Sequence, residues 1–170
     1  MLAMRLVRAI EEHAEELTRG VLDDLGSNSR TPSYHRLSRE ERHRRVYDVY
    51  RNLGRWLGDE TEDAVEASYS ALGASRRAEG IPLDEVVYAL ILTKHHLRSY
   101  ILGAGLVQSA VDLYQEEELN LLLDQFFDKA VYHTVRGYEQ VAAGRAAASL
   151  SGADAPQRPL SSRKRVTTRQ

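Results

Sequence analysis

The chain has 170 residues, with 25 Asp and Glu, 23 Lys and Arg, 6 His and a formal net charge of −2. That length suits one domain with a core of its own. The absence of Cys excludes disulfide scaffolds, thiolate metal sites and cysteine nucleophiles. With 4 Pro and 11 Gly the chain is poor in turn residues, which argues against an all-β fold.

Charge divides the chain into two parts. Residues 142–170 carry a net +5 through Arg145, Arg158, Arg163, Lys164, Arg165 and Arg169 against Asp154, and the preceding residues carry −7. An acidic body is therefore followed by a basic tail. No apolar run approaches the roughly 18 residues of a membrane span. Arg5 and Arg8, followed by Glu11 and Glu12, do not read as a secretory signal, so a cytoplasmic location is expected.

The apolar periodicity is helical nearly throughout. Ala3, Val7, Ile10, Ala14, Leu17 and Val21 mark a first helix over about 2–25, stopped by Gly26-Ser27-Asn28-Ser29. Ser38 and Glu41 have capping-box spacing and start a second helix over about 39–57, with Val46, Val49, Leu53, Trp56 and Leu57 inward. A weaker cap, Asp59 and Glu62, opens a third helix over about 60–79, which buries Val65, Tyr69 and Leu72 and ends at Gly80. Pro82 begins the fourth, with Leu83, Val86, Val87, Leu90, Ile91, Leu97 and Ile101 as its apolar face and Gly103-Ala104-Gly105 as its break. A long fifth helix over about 108–148 presents Leu119, Leu122, Leu123, Phe126, Phe127, Ala130, Val131 and Thr134.

Helices with one apolar face are stable only when packed together. The expected fold is therefore an all-α bundle of about five helices over residues 1–149. Residues 150–170 read as a disordered basic tail or linker. In the last helix Ala130, Gly137 and Gly144 repeat at seven and lie on nearly one line. Glycine costs a helix interior about 1 kcal/mol, so another backbone is expected close by, inside the bundle or across a subunit seam.

Motifs of catalysis are absent: no G-x-S-x-G, P-loop, G-x-G-x-x-G or H-E-x-x-H occurs. Only Glu40-x-x-His43 has the spacing of a di-iron pair, and it sits in a strongly charged stretch. An enzyme is the least expected class, and no cofactor is called for. Haem stays open through a single histidine: His133 shares a side with Leu122 and Phe126, while His95 and His96 flank the fourth helix's stripe. Lys94 falls within that stripe, either snorkelling to water or paired with Asp124 or Asp128, or holding an anionic ligand. The basic run through Arg42, Arg44 and Arg45 is interleaved with Glu40, Glu41 and Asp48. It reads as a solvated face, with an Arg44–Asp48 pair; nucleic-acid binding there is the alternative, and the negative charge of the body opposes it.

Arg76 or Arg77 followed by Gly80-Ile81-Pro82-Leu83-Asp84-Glu85-Val86-Val87 resembles a segment of the RsbRD-type N-terminal domain family, the helical input domains named after the RsbT co-antagonists of bacterial stress signalling. Phe126-Phe127-Asp128-Lys129-Ala130-Val131-Tyr132, continued by Gly137-Tyr138-Glu139, resembles a later helix of that family. The order of helices matches over about 5–140. The resemblance implies a non-enzymatic sensory or regulatory module with a globin-like or bundle-like fold, often dimeric. Its partner would be a signalling protein such as a kinase, phosphatase or sigma-factor regulator. It carries over no catalytic residue.

Overall fold

The computed structural model describes residues 2–59, 61–104 and 108–152, and these form an all-α bundle without a strand among them. Helices α1 (Leu2–Glu12) and α2 (Ala14–Ser27) follow each other directly, and a 3-10 turn covers Pro32–Arg36. Helix α3 (Arg39–Arg51) leads to a π-helical turn at Arg55–Asp59. Helices α4 (Glu62–Ala78), α5 (Leu83–Gly103) and α6 (Ala110–Gly152) complete the bundle. Helix α6 is its spine: α4 lies along it most extensively, and α1 and α5 also pack against it. Helix α2 bridges α3 and α5.

Local chemistry explains the helix ends. The Ser38 hydroxyl accepts from the Glu41 amide while the Glu41 carboxylate accepts from the Ser38 amide, the expected capping box. The cap of α4 is Thr61, whose hydroxyl accepts from the Ala64 amide, rather than Asp59. Gly80, at φ 74°, closes α4 in a Schellman turn: its amide donates to Arg77 O and the Ile81 amide donates to Arg76 O. Ile81, the residue after it, is buried in the core.

Two expected boundaries change. The first helix is interrupted at His13, whose Nδ1 lies 2.8 Å from Ala9 O. The second ends at Arg51, and Asn52 folds its side-chain amide back onto Asp48 O at 3.2 Å before the π turn begins. The Ala-rich stretch carries α6 to Gly152, past the expected end, as the high helix propensity of alanine allows. The expected tail from residue 153 onward lies outside the described residues.

The core agrees with most of the predicted stripes, including Val65, Tyr69, Leu72, Leu97, Ile101, Leu119, Leu123, Phe126 and Phe127. In α1 and α2 the expected Ile10, Ala14 and Val21 are buried, while Leu6 and Thr18 take the places of Val7 and Leu17, which lie with Ala3 on the flank, and Leu25 extends the line. Ile91 and Leu122 stand at the exposed edges of their helices.

The tightest packing joins α4 to α6. A Cβ on Gly73 would stand 2.0 Å from Thr134 O, and one on Gly137 would stand 2.1 Å from Ser70 O. The two glycines thus let the backbones of α4 and α6 touch. Ala130 is fully buried on the same seam. The neighbour that Gly137 accommodates is α4 of its own chain, not a second subunit. A Cβ on Gly144 would meet nothing within 4 Å.

Candidate functional site

Helix α3 turns two of its arginines inward. Arg42, Arg45, Val46 and Val49 follow each other at helical spacing, and all four line one partly open cavity of about 60 Å³. Arg76 and Leu72 enter it from α4, Leu90 and Thr93 from α5, and Phe127 from α6. The walls are largely aliphatic and aromatic, and the charge is concentrated in the three arginines and Asp48.

The polar accounting of this cavity is one-sided. The Nε–H groups of Arg42 and Arg76 and the indole N–H of Trp56 are buried without an acceptor among the described residues, and all three residues line the cavity. The one lining carboxylate, Asp48, is engaged by the Asn52 amide at 2.9 Å and takes no Arg44 pair. Arg76 is buried at 7% exposure; its Nη1 pairs with Glu79, and its guanidinium lies 5.7 Å from the centroid of the Tyr34 ring. Arg42 and Arg45 are half-buried and make no side-chain hydrogen bond or ion pair with a described residue.

Electrostatics record the same imbalance. Burial lowers the Arg45 pKa, and the like charges of Arg44 and Arg76 lower it further. Burial pushes the Tyr34 phenol up to about 12 against the pull of Arg76. Burial also raises the Tyr69 phenol, reinforced by the charge of Asp48. Both tyrosines line the cavity as neutral groups at ordinary pH.

A second buried polar pair holds one side of this region. The Glu85 carboxylate, 5% exposed, accepts from the Ser33 amide at 2.7 Å and from the Ser33 hydroxyl at 2.8 Å. It ties the start of α5 to the 3-10 turn that carries Tyr34.

The residues singled out from sequence lie elsewhere. Lys94 reaches Asp124 Oδ1 at 2.9 Å and Asp128 Oδ1 at 3.8 Å, with its side chain 25% exposed, so it both snorkels and pairs across α5 and α6. His133 is buried and its Nδ1 has no partner among the described residues. His95 is exposed, whereas its neighbour His96 pairs with Asp24 at 3.2 Å. None of Lys94, His95 and His133 lines the cavity. His43 pairs with Glu15 at 2.8 Å, and no group of three or more potential metal ligands occurs among the described residues.

Arg42 and Arg45 correct the expectation of a wholly solvated α3 face: Arg44, Glu40 and Glu41 are exposed, but these two point into the stripe. Their spacing to Val46 and Val49 is the signal that finds them. Glu85 and Gly73 carry no comparable sequence signal, because their partners are distant in the chain. Comparison with family models, with characterised proteins and with solved structures finds no match to this chain.

Proposed function

We propose that this chain is a non-enzymatic sensory or regulatory module of bacterial signal transduction, akin to the RsbRD-type N-terminal domains, and that its output is contact with a partner protein. The observation that carries this reading is the first half of α6. Val111, Tyr114 and Leu121 are exposed there at 64%, 68% and 57%, spaced three and seven apart along one side of the helix. Leu113 adds a further exposed apolar side chain, at 50%.

The charge around this stripe supports a basic partner. Residues 110–128 contain Asp112, Glu116, Glu117, Glu118, Asp124 and Asp128 and no Lys or Arg. Asp112 is used in the helix cap with Ser109, and Lys94 pairs with Asp124 and Asp128. Exposed Glu117 and Glu118, three and four residues after Tyr114, flank the stripe and remain to meet a partner. A second copy would set acid against acid, whereas a basic amphipathic helix matches both the apolar spacing and the charge. The partner proposed is accordingly a signalling protein presenting such a helix, and the location proposed is the cytoplasm. Among the described residues no helix is long and apolar enough to cross a membrane.

Site-specific photocrosslinking from position 114 in the native cells tests this reading. The expected result is one signalling protein, captured through a basic helix and lost when Leu121→Glu is added, with helical circular dichroism unchanged. Capture that is indifferent to Leu121→Glu, or capture of no signalling protein, overturns it.

A further inference from the structure

The exposed stripe of α6 is acidic as well as apolar, and the bundle does little to neutralise it. Lys94 and Arg98 both pair with Asp124, and Arg5 bears on Asp112. Glu117 and Glu118, beside Tyr114 and Leu121, have no ion pair among the described residues.

One segment of the chain has the matching chemistry. Residues 158–169 hold Arg158, Arg163, Lys164, Arg165 and Arg169 with no acid between them, together with Leu160 and Val166. Several exposed cations of the bundle, by contrast, already meet acids: Arg39 pairs with Asp23, Lys129 with Glu62 and Arg136 with Glu66. Reach decides which copy supplies the segment. Glu118 lies about 51 Å along α6 from Gly152, at about 1.5 Å per residue. From Gly152 to Arg165 the chain spans at most about 47 Å, before any length is used to turn back. The cluster Arg163–Arg165 therefore falls short of Glu117 and Glu118 in its own copy, and only another copy can place it there.

We infer that residues 158–169 of a second copy dock on the Tyr114–Leu121 stretch of α6 and cover it until a signalling partner displaces them. The α6 helix of a second copy repels this stretch, whereas its basic segment is attracted to it. Exposed charge contacts are individually weak and screened by salt, so the docked segment is displaceable rather than permanent. The displacement step rests on the contact reading above; the docking itself does not.

A photoreactive phenylalanine at position 114 of the purified full chain tests the inference, with isotopically light and heavy copies mixed before irradiation. The expected product joins position 114 of one copy to residues 158–169 of the other, and its yield falls with dilution and with added salt. Reversing the tail charges (Arg163→Glu, Lys164→Glu and Arg165→Glu together) lowers the yield by about tenfold, as the loss of several exposed charge contacts requires. Glu117→Lys with Glu118→Lys does the same, and combining the two sets restores the product, which a folding defect would not. In cells, the tail reversal alone raises capture of the signalling partner from position 114. The inference is overturned by the absence of a tail product, by products within one copy only, by products with α3 of a second copy instead, by failure of the combined charge swap to restore the yield, or by partner capture indifferent to the tail. Capture of a signalling protein without any tail product overturns this inference and leaves the contact reading standing. A tail product with no signalling protein captured supports the docking and overturns the contact reading.

Discussion

The α4–α6 seam and the cavity one layer away are built on opposite solutions. At the seam, Gly73 and Gly137 remove side chains so that backbone meets backbone, and no space remains. Around the cavity, large side chains from α3, α4, α5 and α6 converge and still leave about 60 Å³ and several donors without acceptors. Close packing is what interiors normally achieve, and the seam achieves it fully. The contrast separates a seam where two backbones touch from a region where side chains of the same helices converge without filling the space.

The strongest way to break the contrast is Gly137→Ala. Its Cβ would collide with the Ser70 backbone, which cannot move aside as a side chain can. Overpacking of this kind costs about 3 kcal/mol or more, and urea denaturation should show the loss or a failure to fold. The cavity side is expected to be sensitive at its polar support instead. Glu85→Ala removes both acceptors of Ser33 and should cost about 2 kcal/mol, with Glu85→Gln recovering part of it. If Glu85→Ala proves neutral in denaturation, the tie between α5 and the 3-10 turn is not structural.

Smaller effects sharpen the comparison. Lys94→Ala breaks an ion pair between α5 and α6 that is partly open to water, so a loss below about 1 kcal/mol is expected. Gly144→Ala, on the same helix line as Gly137 but facing open space, should gain about 0.5 kcal/mol from helix propensity alone. An equal response at 137 and 144 would erase the distinction between seam and free helix. The Asp24 pKa is lowered by the hydrogen bond from Asn28 and, beyond that, by His96. Its folded value therefore lies below its unfolded one. The stability it contributes is complete above the ordinary carboxylate range and is lost as pH falls through the folded value. Asp24→Asn should flatten the acid limb of a melting-temperature profile, and an unchanged limb would exclude Asp24 as its source.

Arg42 and Arg45 show how far residue order reaches toward the site. Their register with Val46 and Val49 is visible in the linear sequence, yet charge is the usual mark of a solvated face, and the interleaved acids Glu40 and Glu41 support that reading. Among the described residues no acid on another helix comes to meet them, which only the packing of the helices decides. Trp56 was legible as a core residue but not as an unpaired donor, for the same reason. Lys94 is the converse: its anomaly is visible from its position in the apolar stripe and Asp124 and Asp128 are candidate partners, but only the packing of α5 against α6 brings the pair together.

Helix positions, the Ser38–Glu41 cap, the glycine stop at Gly80 and most of the buried stripes follow from residue order, because each depends on neighbours within about one or two turns. The break at His13, the pairing of Gly73 with Gly137, the burial of Glu85 on Ser33 and the meeting of three arginines around one cavity depend on how separate helices lie against each other. Those contacts join residues far apart in the chain, and periodicity carries no record of which faces will meet, at what depth, or with what left unpaired.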